Sequence, residues 1–456
     1  MQAQGMLTQD QLLEEIEHGS IDTVIVASCD MQGRLFGKRI SGWYFAEHAR
    51  NHGTHFCTYL LGTDIELETP KGYELMTWES GYGDYLSRPD WSTVRRIPWL
   101  EGTALILADV VDEETGKEIP VSPRTLLKQQ IEHCHALGFE PMMASELEFY
   151  LIDESFSSAR RKDYRDLTLG GDFNEDYQLL QGTRYEPFYR MLRNQLTAAG
   201  VPIEFSKGEA AVAQHELNIH YADALEAADR TVLLKHGIKE MALQAGKAVT
   251  FMAKPDASWT GSSGHVHCSL SSLETGTNLF VDENGGMSEL MRWFLGGLLE
   301  GARALSLMIA PNINSYKRFA SASWAPVYLV WSRDNRTCGF RIVGYGNGLR
   351  IENRFPGSDS NPYLVYAAML ALGLNGIEKQ FDPGEPFIGN GYQAMDRPRV
   401  PASLREAIST WEGSHLPEAL FGGLVARHYL HAAKLEQGAF DRAVTDWERR
   451  RYFERV

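Results

Sequence analysis

The chain has 456 residues, 43% hydrophobic and 23% charged, enough for a substantial buried core and for two or three domains. Its net charge of −16 argues against wrapping a nucleic-acid backbone, and no apolar run reaches the roughly 18 residues of a membrane span. Five scattered cysteines without a CxxC pair speak against a disulfide framework or zinc cage and for a reducing cytoplasm. The polar first ten residues lack the blocks of a signal peptide.

In chain order, Thr8 and Gln11 make a capping box ahead of a helical stripe of Leu12, Leu13 and Ile16, which Gly19 ends. Residues 21–27 read as a strand, 30–33 as a turn and 34–40 as the returning strand, opening a small α+β unit that continues to about Val111. The polar segment 112–123, with Gly116, Pro120 and Pro123, is the expected boundary between units 1–112 and 113–456. Ser122 and Pro123 start a helix that runs to Gly138. Beyond it, strands such as 142–152 alternate with helical stretches such as 222–248, and a Gly-, Ser- and Asp-rich stretch near 155–183 reads as a surface excursion. From Ser403 the pattern is mostly helical, ending in a charged run, 447–455, expected to be solvated or in a subunit contact.

Glu146-x-Glu148, His265-x-His267 and Glu352-x-Arg354 sit in strand-like contexts, where residues two apart share a face. Glu209 and Glu216 form a fourth pair. Two carboxylates about 5–6 Å apart on one face repel by roughly 3 kcal/mol at an effective dielectric near 20. Water relieves this on an exposed edge, but Met142, Met143, Leu147 and Phe149 describe a buried strand, where a counter-charge is required. Carboxylate oxygens with one imidazole suit Mg²⁺ or Mn²⁺ better than zinc or copper. The histidine pair follows a Gly/Ser-rich loop, a setting that suits a metal or phosphate as well as a hydrogen-bonded core histidine. Arg318, Arg336, Arg341, Arg350 and Arg354 crowd one stretch and suit bidentate capture of carboxylate and phosphate. Neither a Walker loop nor a dinucleotide fingerprint is present, so nucleotide binding needs another scaffold.

These residues resemble the glutamine synthetase superfamily, in particular its γ-glutamyl-amine ligases. The resemblance covers nearly the whole chain. It includes Phe36-Gly37-Lys38-Arg39, Ser145 to Phe149, Gln214-His215-Glu216, Phe251 to Pro255, the His265/His267 segment, Asn312 to Arg318, Asn335-Arg336, Ile351 to Phe355 and Asn361 to Leu364. It implies an α+β fold, an N-terminal β-grasp domain followed by a large glutamine-synthetase-type catalytic domain. It further implies Glu148, Glu209 and Glu216 as ligands of a first metal, and Glu146, His265 and Glu352 as ligands of a second. Two or three Mg²⁺ (or Mn²⁺) ions per site are expected, with ATP as co-substrate. Arg318 and Arg354, with Thr260 and Gly261, are expected to hold glutamate, and His267, Ser269, Arg336, Arg341 and Arg350 to contact ATP. The expected assembly is a dodecamer of two hexameric rings with active sites between subunits.

Two departures bear on the acceptor. Family members that use ammonium close the site with a flap glutamate. In Ser321-Ala322-Ser323-Trp324-Ala325-Pro326, Trp324 stands at that place. The ammonium-binding aspartate aligns with Leu61, with Asp64 close by as a candidate base from a neighbouring subunit. An acceptor carrying carbon gains about 0.8 kcal/mol per buried CH₂, and an indole can hold an alkylammonium through a cation–π contact. The expected reaction joins glutamate to a small organic amine, an ethanolamine-like monoamine ahead of putrescine or a polyamine. The alternatives are a glutamine synthetase using ammonium, a ligase for an arylamine, and a catalytically silent relative acting as a regulator.

Overall fold

The computed structural model describes residues 4–320 and 323–456. The chain opens on helix α1 (Gln9–Glu17), capped as the sequence predicts: Gln11 N–H donates to Thr8 Oγ1 at 3.2 Å and Thr8 N–H to Gln11 Oε1 at 2.8 Å. Strand β1 (Thr23–Cys29) turns back into β2 (Leu35–Ser41) through a tight loop. Asp30 organises that loop by accepting the amides of Gln32 and Arg34. The first strand lies two residues later than expected because Ile21 N–H still caps the helix, on the Glu15 carbonyl. Strands β3 (Thr54–Cys57), β4 (Asp84–Pro89), β5 (Arg95–Arg96) and β6 (Thr103–Val111) complete a sheet in the order β2-β1-β6-β4-β3, with β5 also on β6. Its central pair, β1 and β6, is parallel, as in a β-grasp.

Helix α2 (Pro123–Ala136) follows, then the long strand β7 (Phe139–Ile152) at the centre of a nine-stranded sheet. With β8 (Ile203–Gly208), β9 (Gln214–Ile219), β10 (Ala222–Asp223), β11 (Ala248–Thr250), β12 (Gly264–Ser272), β13 (Trp331–Arg333), β14 (Phe340–Val343) and β15 (Arg350–Asn353), the order is β13-β14-β15-β12-β7-β9-β8. Strands β10 and β11 also pair with β7. The two-residue period of β7 sorts its side chains. Met143, Leu147 and Phe149 enter the hydrophobic core, and Ser145 Oγ meets Tyr366 Oη at 2.7 Å beneath the sheet. Glu146 and Glu148 therefore share the opposite face.

Helices α3 (Leu179–Ala198), α4 (Ala224–Gln244), α5 (Glu289–Gly301), α6 (Pro362–Lys379), α7 (Leu404–Glu412) and α8 (Gly423–Arg442) supply the rest of the framework. Helix α6 is buried along its first 15 residues and is apolar around its circumference, as a helix enclosed by other elements must be. The core does not stop between the sheets: Ala27, Leu105 and Leu107 pack with Leu147, Leu217 and Phe251. The stretch 155–183 is irregular apart from a short helix, Phe156–Arg161, and the start of α3, and the charged run near the end forms an exposed helix, Asp446–Tyr452.

Candidate active site

Strand register builds the site. On antiparallel strands, directly opposed residues point to one face. His265 lies opposite Glu146, Glu216 opposite Glu148, and both His267 and Arg341 opposite Glu352. Five strands thus deliver carboxylates, imidazoles and a guanidinium to one surface, with Glu209 joining just after β8.

Two groups of possible cation ligands result. Glu148, Glu209 and Glu216 form the first, with oxygens within 4.8 Å of one another. The second, by the same measure, is Glu146, His267 and Glu352. His265, the imidazole expected there from the sequence, is adjacent: its Nδ1 is 3.3 Å from Glu146 and 3.5 Å from Glu352. The two histidines differ in how they are used. His267 Nδ1 accepts from Arg350 Nε at 3.1 Å, so its Nε2–H donates to Glu146 at 2.8 Å, and both nitrogens are engaged. His265 Nε2 is buried with no partner among the described residues. His265 is therefore the imidazole with capacity to spare.

The two groups also differ in charge balance. Burial works to raise Glu146 and Glu352, but His267 and His265 pull Glu146 well below the usual carboxylate range, and Arg354 with the histidines brings Glu352 down to about 2. The protein compensates this pair itself. In the first group, burial and the charge of Glu209 push Glu148 up to about 8, and burial with its acidic neighbours drives Glu216 up as well. Among the described residues, Glu148 accepts hydrogen bonds only from the Ser263 amide at 2.7 Å and Gln214 Nε2 at 3.0 Å. One cation, Lys207, pairs with Glu209 and lies 4.0 Å from Glu216, which leaves three clustered, largely desolvated carboxylates under-compensated and suited to a divalent cation.

The arginines face the same space. Arg318 is buried and holds Ser263 Oγ and the carbonyls of Phe355 and Arg354; burial lowers it to about 10. Arg354 pairs with Glu352, and Arg341 bridges Glu352 and Asp334. Each of Arg318, Arg341 and Arg354 keeps a buried Nε–H without a partner among the described residues, a donor available to an anion. Gly261 packs on Arg318: a Cβ there would lie 2.7 Å from Arg318 Cγ and 2.9 Å from the Ala253 carbonyl. Its neighbour Thr260 donates to the Ala210 carbonyl at 3.2 Å. Arg336 is exposed near Asp334.

A cavity of about 960 Å³ opens beside Glu146 and is lined by His267, Ser269 and Arg350, room for a nucleoside triphosphate. Phe205 and Tyr221, which the sequence reading did not single out, supply exposed aromatic surface in its wall. Their signal was available: an aromatic on an edge strand, and another just past the strand that carries Glu216.

Comparison with known proteins decides the family. The sequence profile of the glutamine synthetase catalytic domain matches residues 120–452. The chain belongs to the glutamine synthetase family. It is 45% identical to gamma-glutamylethanolamide synthetase of Streptomyces coelicolor, over 98% of this chain and 96% of that one. It is 39% identical to a glutamate–isopropylamine ligase of a Pseudomonas species, over 96% of each. A solved structure described as apo GmaS without ligand superposes with a TM-score of 0.83 at 28% identity, covering 97% of this chain and 99% of that one. As a glutamine synthetase family member, the chain is an ATP-dependent carbon–nitrogen ligase that uses a divalent metal. No helix among the described residues is long and apolar enough to cross a membrane.

Four residues bear on where an acceptor would be expected to bind. Trp324 is 56% exposed and adopts φ +64°, a left-handed conformation that costs a bulky residue of order 1–3 kcal/mol. Ser321 and Ala322, the start of the flap, lie outside the described residues. Leu61 is wholly buried beside Tyr73 and Met76, with its carbonyl 3.0 Å from His428 Nε2, so it offers no apolar wall to a pocket. Asp64 Oδ1 accepts the amides of Glu66 and Glu68 in an exposed loop, and no hydrogen bond or ion pair among the described residues links it to either carboxylate group. Tyr392 places a buried hydroxyl in the field of Arg354 and Arg318.

Proposed function

We propose that this chain joins the γ-carboxyl of glutamate to a small organic amine at the expense of ATP, with an ethanolamine-like monoamine favoured over putrescine or a polyamine. The observation that carries this reading is Trp324 where ammonium-using relatives place a flap glutamate. The two amine-ligase relatives, whose names specify ethanolamide and isopropylamine, support it.

The γ-carboxylate attacks the terminal phosphorus of ATP in line and ADP leaves, giving γ-glutamyl phosphate; the amine then attacks the acyl carbon and phosphate departs. Arg318 and Arg354, with Thr260 and Gly261, orient glutamate. Arg336, Arg341 and Arg354 draw charge off the transferring phosphoryl group. His267, Ser269 and Arg350 position the nucleotide in the cavity. Divalent cations, Mg²⁺ or Mn²⁺ at two or three positions, would be held by Glu148, Glu209 and Glu216 and by Glu146, His265 and Glu352, and would neutralise charge on the phosphates. An alkylammonium near pKa 10.4 must lose its proton before attack, at a cost of about 4–5 kcal/mol at pH 7. We assign that proton to Asp64 of a neighbouring subunit in a ring assembly, a dodecamer of two hexamers. Five cysteines, all free, suit a cytoplasmic enzyme.

The test is phosphate release with ATP, Mg²⁺ and glutamate against ammonium, ethanolamine, ethylamine, putrescine and spermidine, with products weighed by mass spectrometry. Turnover of one organic amine well above ammonium is expected. Preference for ammonium would return the chain to glutamine synthesis.

A further inference from the structure

One cation near the first carboxylate group has no part in the chemistry above. Lys207 lies on β8 directly opposite Glu216, which itself lies opposite Glu148 on β7. The three residues form one cross-strand row on the site face, and Glu209 follows two residues after Lys207. The Lys207 ammonium pairs with Glu209, stands 4.0 Å from Glu216 Oε1, and sits over the Tyr177 ring, 4.5 Å from its centroid. Its side chain is only 17% exposed, so the ammonium is largely withdrawn from water and held by carboxylates and a π face. Strand β8 is the edge of its sheet and Tyr177 is exposed, which leaves the lysine an open side toward which it can swing.

A lysine ammonium and a divalent cation compete for the same oxygens, and two cations in contact with one carboxylate pair repel each other. We propose that Lys207 is an internal counter-cation of the first group. It neutralises Glu209 and Glu216 until a divalent cation displaces it toward Tyr177 and solvent, and it thereby holds metal affinity below what the three glutamates alone would give. The inference rests on reading Glu148, Glu209 and Glu216 as a metal site.

The experiment titrates Mn²⁺ into chelator-treated, full-length assembled enzyme without nucleotide, followed by calorimetry and by the spin-resonance signal of free Mn²⁺. Wild type, Lys207→Met, Lys207→Arg and Glu209→Ala are compared. Lys207→Met is expected to bind the ion that Glu209→Ala loses about tenfold more tightly than wild type, a difference of about 1.4 kcal/mol, whereas Lys207→Arg stays near wild type. An unchanged or weaker affinity in Lys207→Met overturns the proposal, as does a Lys207→Arg that tightens equally. A Glu209→Ala titration superimposable on wild type removes the metal site itself, and the proposal with it. Should Lys207→Met fail to assemble, Lys207→Gln removes the same charge with a polar side chain and is read by the same criteria.

Discussion

At the scale of single residues, Glu148 combines burial with like charge. It is enclosed beside Glu209 and Glu216, and its two hydrogen bonds, from Ser263 and Gln214, do not supply a full counter-charge. On the proposed metal site, replacing it by alanine removes a ligand and relieves repulsion together. Glu148→Ala is therefore expected to lose ADP formation by at least about a thousandfold, the scale of removing a main electrostatic stabiliser. Its metal-free thermal midpoint should stay at or above that of wild type. Coupled phosphate assay and calorimetry on chelated protein read the two quantities, and near-wild-type turnover would remove Glu148 from the metal site. Trp324 is read differently, because its ring is exposed and its backbone strained. Trp324→Glu places an anionic wall where an indole stood and should raise ammonium turnover relative to the organic amine by about tenfold or more. An unchanged amine profile would show that selection lies elsewhere.

At the scale of elements, legibility in the sequence followed period. Glu146-x-Glu148, His265-x-His267 and Glu352-x-Arg354 were readable as same-face pairs because a strand alternates every two residues, and the structure places all three on one sheet face. Register is not local. That Lys207 opposes Glu216, or that His267 rather than His265 joins the tightest second group, depends on how β8, β9, β12 and β15 slide against their partners. The direction of a short turn is equally hidden. Leu61 ends a 3₁₀ turn, Thr58–Leu61, and points into the core rather than toward an acceptor pocket, a choice made by Met31, Tyr73 and His428 from distant parts of the chain. The glycines of α5 and α6 belong to the same class. A Cβ on Gly376 would lie 2.3 Å from the Trp293 carbonyl and 2.6 Å from Gly297 N, so the two helices meet backbone to backbone. An isolated helical glycine costs about 1 kcal/mol relative to alanine, yet here the close contact outweighs that preference. Gly376→Ala is expected to destabilise the protein by about 3 kcal/mol through overpacking, read as a lower urea midpoint at unchanged m-value. A stabilised variant would mean the helices can part without loss.

At the scale of the whole molecule, the Asp64 assignment requires a second subunit. Within one chain, its loop bonds to itself and to Arg34, and the neighbouring Ile65 and Leu67 are exposed. The far end of the chain also presents apolar surface at Trp447 and Phe453. A ring in which the Asp64 loop of one subunit reaches the carboxylates of the next makes a prediction that no single-chain site shares. Asp64→Ala and Glu148→Ala should each be inactive alone, since every site in either ring lacks one of the two groups. Unfolded together in equal amounts and reassembled, they form mixed rings. A site is then whole only where a Glu148→Ala chain supplies Asp64 and an Asp64→Ala chain supplies Glu148. With random placement around a closed ring that holds for roughly a quarter of the sites, so activity should return to about that fraction of reassembled wild type, with light scattering confirming equal ring mass. If both residues act within one chain, every site keeps one defect and mixing restores nothing. Activity in Asp64→Ala alone would instead move the proton acceptor to another group.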